Sequence, residues 1–246
     1  MPPSPVSEHG FLGGRLRLRQ AAKGYRAGAD AALLAAACDA GAGERVLELG
    51  CGVGAVMLAA AIRRPEALFV GIEREVDALA LALENVGRND LGERVSVRAG
   101  DIASTADQLR GFDAVLANPP YFDDETRLRG PRPERRSAYL APEGLGAWIV
   151  AMTDAARRGG TLTLIHRAER LGDILGLLPP KAGSIRVRPV QPFEAAPAKR
   201  VLVRAVKGGR APLVILPPLV LHVAGGAKHT PQADAILRGE AALAWG

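Results

Sequence analysis

A short apolar segment, Arg45–Leu49, is followed at once by a turn that contains Gly50, Gly52 and Gly54. Glycine adopts backbone conformations with positive φ, and it lets the backbone approach a ligand where a side chain would collide. The Ala- and Leu-rich run that follows, up to Arg64, predicts a helix. A strand, a glycine-rich turn and a helix in this order predict a ligand-binding unit of an α/β sheet.

The same alternation of strands and helices continues along the chain. Strands are predicted at 68–72, 95–99, 112–117 and 161–165, and helices at 54–64, 75–89, 104–109 and 142–157. This order predicts parallel strands with helices on both faces of the sheet, a Rossmann-like α/β fold. Two later segments, Ser184–Val190 and Lys199–Lys207, have no room for a helix between them and predict an antiparallel hairpin at one edge.

The pattern divides the chain into three parts. Residues 1–44 form an N-terminal strand and helix segment, in which residues 1–10 are expected to be disordered. Residues 45–207 form the catalytic domain. Residues 208–246 are rich in Pro and Gly, contain one helical stretch near Gln232–Leu243, and are interpreted as an appendage packed on the domain.

Composition excludes several classes of protein. Hydrophobic residues make up 48% of the chain, and 32 Lys and Arg oppose 26 Asp and Glu, which gives a net charge of +6. Such a chain is globular, and its basic character alone does not distinguish a nucleic-acid partner from a basic surface. The cysteines, Cys38 and Cys51, show no disulfide or metal-ligand spacing. The apolar run Ala31–Cys38 is too short to span a bilayer, so we expect a cytoplasmic protein without metal or membrane.

The glycine turn alone leaves two cofactors open. Gly50, Gly52 and Ala55 also satisfy the dinucleotide pattern GxGxxG/A, which would indicate NAD. Glu73, at the end of the second predicted strand, would bind ribose hydroxyls with either cofactor. Glu48, two positions before the first glycine, is typical of methyltransferases that bind S-adenosylmethionine.

A second acidic position supports the same cofactor. The third strand ends in Gly100-Asp101-Ile102, where the Asp101 carboxylate could accept a hydrogen bond from an adenine amino group. S-adenosylmethionine carries a sulfonium cation, which tolerates nearby carboxylates, whereas a pyrophosphate would disfavour them. We therefore favour S-adenosylmethionine over NAD.

The fourth strand ends in Asn118-Pro119-Pro120-Tyr121, the most specific motif in the chain. The two prolines fix the direction of the loop and donate no backbone hydrogen bonds. The Asn118 side-chain oxygen and a proline carbonyl could then accept both hydrogens of an exocyclic NH₂, with its lone pair facing a methyl group. Tyr121 would stack on the flat acceptor. The alternative is a strand-ending turn without a ligand.

Together, the glycine turn, Glu73, Asp101 and Asn118–Tyr121 resemble the class I methyltransferases that act on planar amines. Upstream, Gln20, Gly24-Tyr25-Arg26, Gly28 and Asp30–Leu34 resemble one branch, the bacterial tRNA1(Val) adenine-37 N6-methyltransferase family. The resemblance covers roughly residues 11–170, although Ala29 stands where that family often has Thr before the Asp.

This resemblance implies a mostly parallel seven-stranded sheet with the last strand inserted antiparallel. It implies catalysis by Asn118, Pro119, Pro120 and Tyr121. It also implies cofactor binding by Asp30, Glu48, Gly50, Gly52, Gly54, Glu73, Asp101, Ile102 and Asn118.

The leading hypothesis is N6-methylation of an adenine in RNA, with tRNA as the substrate. Two other acceptors fit the same motif: the amide of a protein glutamine, as in release-factor enzymes, and N2 of guanine in RNA. A noncatalytic RNA-binding protein on the same fold is a further alternative, which measured cofactor binding would exclude.

An arginine-rich segment follows the acceptor motif. It is predicted to be a phosphate-binding flap at the carboxyl edge of the sheet, or else a solvated loop, and contains Arg127, Arg129, Arg132, Arg135 and Arg136. His166, which ends the fifth strand at the same edge, is interpreted as a structural residue.

Overall fold

The protein was analysed as a computed structural model, which describes residues 6–22, 26–102, 109–121, 144–178, 180, 182–226 and 228–246. The strands are β1 (Val6–Phe11), β2 (Leu16–Ala21), β3 (Arg45–Leu49), β4 (Leu68–Glu73), β5 (Val95–Ala99), β6 (Phe112–Ala117), β7 (Ala156–Arg167), β8 (Ala182–Gln191), β9 (Arg200–Lys207), β10 (Val214–Ile215) and β11 (Leu219–Val220). The helices are α1 (Ala29–Ala36), α2 (Ala55–Arg63), α3 (Val76–Arg88), α4 (Gly144–Ala155), α5 (Leu171–Leu177) and α6 (Pro231–Leu237).

The main sheet confirms the predicted Rossmann-like architecture. Its strand order is β10-β8-β9-β7-β6-β3-β4-β5, and β11 also pairs with β8. Five neighbouring strands run parallel, in the spatial order β7, β6, β3, β4 and β5. Strand β9 is inserted between β7 and β8 and is antiparallel to both. The seven predicted strands are therefore β3 to β9, and the two-residue strands β10 and β11 extend the sheet beside β8.

Alternate residues of the central strands enter two hydrophobic clusters on opposite faces of the sheet. Val46 of β3 packs with α1 and α2, whereas Leu47 packs with α4. The same alternation occurs in β6, where Leu116 and Val115 belong to different clusters. Strands that are buried on both faces read as continuous apolar runs, which is why their sequence signal is strong.

The N-terminus differs from the prediction. Residues 6–10 were expected to be disordered, yet Val6–Phe11 forms β1 and pairs antiparallel with β2 from Val6 opposite Ala21 to Phe11 opposite Leu16. Leu16 and Leu18 of β2 are buried in the core. Because β2 is anchored there, its free edge can order a polar neighbouring strand that has little sequence signal of its own.

Two asparagines of α3 cover the other edge of β2. The Asn85 amide accepts a hydrogen bond from the Arg19 backbone N–H at 2.7 Å and donates to the Arg19 carbonyl at 2.9 Å. One helical turn later, Asn89 accepts from the Arg17 N–H at 2.9 Å and donates to its carbonyl at 2.8 Å. Each side chain thus acts as a strand neighbour for one residue of β2. Asn85 also donates to the Val53 carbonyl in the glycine turn at 2.9 Å.

The end of the chain lies against α1. The Leu243 amide donates to the Ala36 carbonyl, and the Trp245 Nε1 donates to the Ala37 carbonyl, each at 2.9 Å. The helix predicted near Gln232–Leu243 is shorter and begins earlier, at Pro231, because the Thr230 side chain caps it and Pro suits the first helical position. Of the helix predicted at 104–109, residues 104–108 lie outside the described residues.

We expect Asn85→Ala to lower the free energy of unfolding by about 3 kcal/mol, because three backbone groups lose their partner in a fully buried position. Asn89→Ala is the matched control, since it removes the same type of contact where solvent can replace it, and should cost about 1 kcal/mol or less. Chemical denaturation of both variants measures the difference. Equal losses would show that the buried amide does not anchor β2.

Candidate active site

The residues predicted to bind the cofactor and the acceptor lie at one edge of the sheet. Leu49, the last residue of β3, pairs with Ile72 of β4 on one side and with Ala117 of β6 on the other. Glu73, the next residue of β4, pairs with Ala99 at the end of β5. The segments that follow these strands therefore lie side by side at the carboxyl edge of the sheet, where ligands bind in open α/β folds.

The glycine turn after β3 is left-handed at three positions, with φ of 62° at Gly50, 55° at Gly52 and 85° at Gly54. A Cβ atom on Gly50 would lie 2.4 Å from Cη2 of Trp148, so the indole ring from α4 packs directly on this residue. A Cβ atom on Gly52 would meet nothing within 4 Å. Gly50 thus serves packing, whereas Gly52 keeps its face of the turn open to a ligand.

The Glu73 carboxylate holds this turn to the end of β4. Its Oε2 accepts a hydrogen bond from the Gly52 N–H at 2.7 Å, and its Oε1 accepts from the Arg74 and Glu75 N–H groups, each at 2.8 Å. The side chain is buried. A carboxylate has about four acceptor positions, so Glu73 retains capacity for a ligand hydroxyl after these three bonds.

Glu48 contacts the start of α2. Its Oε2 accepts from the Met57 N–H at 2.8 Å, within the first turn of the helix. Gly54, at the N-cap, has no side chain to cap that helix, so the carboxyl group of the preceding strand supplies the acceptor. Burial raises the pKa of Glu48 well above its ordinary value, and the charge of Glu73 raises it further.

Cys51 lies within the same turn and is also buried. Burial and the charges of Glu48 and Glu73 raise the pKa of its thiol well above the ordinary value. A protonated thiol is a poor nucleophile, so the geometry gives Cys51 a packing role. Gly71 of β4 makes room for it, because a Cβ atom there would lie 2.8 Å from the Cys51 sulfur.

Asp101 and Ile102 follow β5 at the same edge. The Asp101 Oδ2 accepts from Nη1 of Arg74 at 3.1 Å, in a partly exposed ion pair. Ile102 is half-buried against the hydrophobic cluster that contains Leu47 and Trp148. Both residues therefore lie at the same edge of the sheet as the glycine turn.

The acceptor motif follows β6 directly. Because Leu49 pairs with Ala117, the residues that follow them, Gly50 and Asn118, leave the ends of two neighbouring parallel strands at the same edge of the sheet. The Asn118 side-chain oxygen is shielded from solvent, Pro119 is buried and Pro120 is half-buried. A shielded oxygen forms stronger hydrogen bonds than one in water, because the surrounding dielectric constant is low.

Tyr121 is held by residues from three other parts of the chain. Its hydroxyl donates to Oδ2 of Asp30 at 2.7 Å, and the same oxygen accepts from Nε of Arg200 at 2.9 Å. The Arg200 guanidinium lies over the Tyr121 ring, 4.8 Å from its centroid. The His166 ring meets the Tyr121 ring edge-on with 5.1 Å between centroids. The tyrosine ring therefore has a defined orientation.

This arrangement assigns a contact to Asp30 that the sequence did not indicate. Cofactor binding by Asp30 stays a prediction, and the structure adds that its carboxylate contacts Tyr121 and pairs with Arg200. Arg200 was not predicted as a site residue at all. Its only sequence signal is its position at the start of a strand, and only the antiparallel insertion of β9 brings that position to the carboxyl edge.

The predicted arginine-rich flap lies outside the described residues, as do Arg127, Arg129, Arg132, Arg135 and Arg136. Within the described part of the chain, no three His, Cys, Asp or Glu side chains are grouped to hold a metal ion. In the same part, no helix is long and apolar enough to cross a membrane.

Comparison with known proteins finds similarity to methyltransferases. The family described as "Methyltransferase small domain" matches residues 26–130. A tRNA1(Val) (adenine(37)-N6)-methyltransferase from Actinobacillus succinogenes is 29% identical over 164 residues, which are 66% of this chain and 69% of that protein. A release factor glutamine methyltransferase from Salmonella typhimurium is 37% identical over 133 residues. That alignment covers 50% of this chain and only 46% of the relative's own length.

A solved structure matches over more of the chain. It is described as a predicted O-methyltransferase from Agrobacterium tumefaciens, with 28% sequence identity and a TM-score of 0.73. The match covers 87% of this chain and 98% of that one. The matched family region includes the glycine turn, Glu73, Asp101 and Asn118–Tyr121, which are the segments that meet at the carboxyl edge of the sheet.

The two glycines of the turn should respond differently to substitution. Gly50→Ala would overlap the Trp148 ring and force a left-handed alanine, so we expect a loss of about 3 kcal/mol in the free energy of unfolding. Gly52→Ala has open space around it and should lose about 1 kcal/mol, while its methyl group intrudes on the ligand face.

Thermal unfolding and calorimetric titration with S-adenosylhomocysteine separate these two effects. Gly52→Ala should weaken ligand binding by about tenfold or more, which is the effect expected from one lost contact. Its midpoint of unfolding should stay close to that of the wild type. Unchanged ligand affinity in Gly52→Ala would show that this face of the turn does not bind the ligand.

Proposed function

We propose that this chain, an S-adenosylmethionine-dependent methyltransferase, methylates the exocyclic N6 amine of an adenine in RNA, with a tRNA as substrate. The observation that carries the proposal is the position of Asn118–Tyr121. This motif follows β6, whose last residue, Ala117, pairs with the residue before Gly50, so that an amine held by Asn118 would lie next to the glycine turn. The net charge of +6 is consistent with an RNA substrate.

The residues of the turn fit S-adenosylmethionine. The open face of Gly52 would leave room for the cofactor, and Glu73 keeps acceptor capacity for its ribose hydroxyls. Asp101, at the next strand end, would accept from the adenine amino group. Burial and the charge of Glu73 raise the pKa of Glu48, and a cation bound nearby would favour the ionised form of Glu48.

When bound, the cofactor would supply a methyl group carried on a sulfonium sulfur. In the transfer, the N–C bond would form as the S–C bond breaks, and the electron pair of the broken bond would stay on sulfur. The chain itself positions the acceptor. Asn118 Oδ1 and the Pro119 carbonyl would each accept one hydrogen of the amine, which directs the nitrogen lone pair towards the methyl group. These preorganised oxygens also stabilise the positive charge that develops on nitrogen before a proton is released to solvent.

Tyr121 would supply the stacking surface for the base. Arg200 covers one face of its ring, so a base would stack on the opposite face. The ring is fixed by the Asp30 hydrogen bond and by the edge of His166, and this costs less conformational entropy on substrate binding than a free ring would. An adenine in a tRNA anticodon loop can be unstacked cheaply to reach such a site.

A second candidate acceptor is the amide nitrogen of a protein glutamine. One of the relatives is named a release factor glutamine methyltransferase, and the motif suits any planar NH₂ group. The decisive experiment incubates the protein with methyl-labelled cofactor and, separately, with unfractionated tRNA and with a bacterial release factor. We expect label in tRNA and, after digestion to nucleosides, in N6-methyladenosine. Label in N2-methylguanosine, in an O-methylated nucleoside or only in the release factor would overturn the adenine assignment.

Asn118→Ala should fold and bind RNA as the wild type does, because it removes an amide at a ligand-facing position. Its single-turnover methylation rate should nevertheless fall by about 10²–10³, the usual effect of losing one preorganised polar group at a reacting centre. Full activity in this variant would leave the motif as a turn without a catalytic role.

Asn118→Asp is the matched variant, since its carboxylate still accepts a hydrogen bond from the amine and should retain part of the activity. Tyr121→Phe keeps the stacking ring but loses the Asp30 hydrogen bond, so we expect a fall in turnover of less than about tenfold, in line with one hydrogen bond of about 1 kcal/mol. Tyr121→Ala removes the ring and should be far more severe than Tyr121→Phe.

A further inference from the structure

The turn between β8 and β9, residues 192–199, lies at the same edge of the sheet as the acceptor motif. Arg200 pairs with Arg167 at the end of β7 on one side and with Val190 of β8 on the other. The Arg200 guanidinium also lies over the Tyr121 ring at 4.8 Å. The β8–β9 turn therefore ends one residue before a side chain that contacts Tyr121 of the acceptor motif.

Three aromatic rings meet on this turn and on the segment after β11. The Phe193 and His222 rings lie 5.6 Å apart between centroids, with a tilt of 42°. The His222 and His229 rings are stacked at 5.0 Å with an interplanar angle of 23°. The His222 backbone N–H donates to the Pro192 carbonyl at 2.9 Å, which fixes the two segments against each other. We call Phe193, His222 and His229 the aromatic platform.

Two rings of the platform, Phe193 and His229, are exposed to solvent, and His222 between them is half-buried. Phe193 is 41% exposed, whereas Phe69 and Phe112 are buried in the core. His229 is also exposed. One exposed aromatic ring requires no explanation, but here two exposed rings, Phe193 and His229, each contact the ring of His222 between them at the same edge of the sheet as the acceptor motif. Base stacking on such a surface requires no particular sequence, because every base has a π face.

The charges around the platform match a polyanion. The two segments that carry the rings also carry Lys199 and Lys228, both exposed, against one acidic residue, Glu194. The Lys228 carbonyl accepts from the Val223 N–H at 3.1 Å, so this lysine lies on the same short turn as the rings. Cations that flank exposed rings form the pattern by which proteins bind single-stranded nucleic acid: lysines contact phosphates while rings stack on bases.

We propose that the aromatic platform stacks on an unpaired base that flanks the target adenine, with Lys199 and Lys228 contacting the adjacent phosphates. This inference rests on the proposed function, because it requires an RNA substrate at the neighbouring acceptor site. It assigns substrate binding to a surface formed by the β8–β9 turn and the C-terminal segment, neither of which belongs to the cofactor site.

The test measures the affinity of the full chain for a fluorescently labelled single-stranded RNA 12-mer and for unfractionated tRNA by anisotropy. Phe193→Ala should weaken binding by about tenfold, within the range measured for the loss of one stacked base. Phe193→Trp should restore it, whereas Phe193→Leu should not, because leucine keeps the apolar volume without a π face. Leu68→Ala is the control, since Leu68 is similarly exposed, at 44%, but begins β4 at the opposite edge of the sheet.

The lysines are tested by the salt dependence of the same binding. Each of Lys199→Gln and Lys228→Gln should reduce the slope of log affinity against log salt by about one phosphate contact, while S-adenosylhomocysteine affinity stays unchanged. If the wild type methylates RNA but Phe193→Ala and Phe193→Leu bind it with wild-type affinity, the platform is overturned and the proposed function stands. If the wild type neither binds nor methylates RNA, both are overturned.

Discussion

The hydrogen bond from the Gly52 N–H to the Glu73 carboxylate joins the glycine turn to the end of the neighbouring strand, and the form of the site depends on it. The other oxygen of the same carboxylate accepts from the next two backbone amides and sets the path of the chain beyond β4. One buried side chain therefore shapes both walls of the cofactor cleft. It can do so only because β3 and β4 are parallel neighbours, whose ends reach the same edge together.

The arrangement has an electrostatic cost at Glu48. Two carboxyl groups lie close together in the protein interior, and burial together with their mutual repulsion raises the pKa of Glu48. Glu48 remains because it caps α2 in place of Gly54, which must be glycine for the left-handed turn. A buried carboxyl group with a raised pKa is unfavourable for folding, and a cationic ligand bound nearby would favour its ionised form. Such groups are common at functional sites.

The acceptor side depends on a contact that joins distant parts of the chain. Asp30, at the start of α1, accepts hydrogen bonds from Tyr121 and from Arg200, the latter across 170 residues of sequence. The N-terminal helix, the acceptor motif and the inserted strand β9 consequently share one carboxylate. The same insertion brings the β8–β9 turn to the edge of the sheet where Tyr121 lies, so one topological feature places Arg200 against Tyr121 and positions the proposed RNA surface.

Local patterns in the sequence determined the central strands, the helices between them and the turn with its acidic partners, because buried parallel strands read as continuous apolar runs and left-handed turns require glycine. The motif Asn118–Tyr121 was likewise visible as a local string. The tertiary structure alone decided that residues 6–11 form a strand, that Trp148 fills the space beside Gly50, and that Asp30 orients Tyr121 with Arg200. These features arise from pairing and packing between segments far apart in the chain, and such contacts leave no periodicity in either segment.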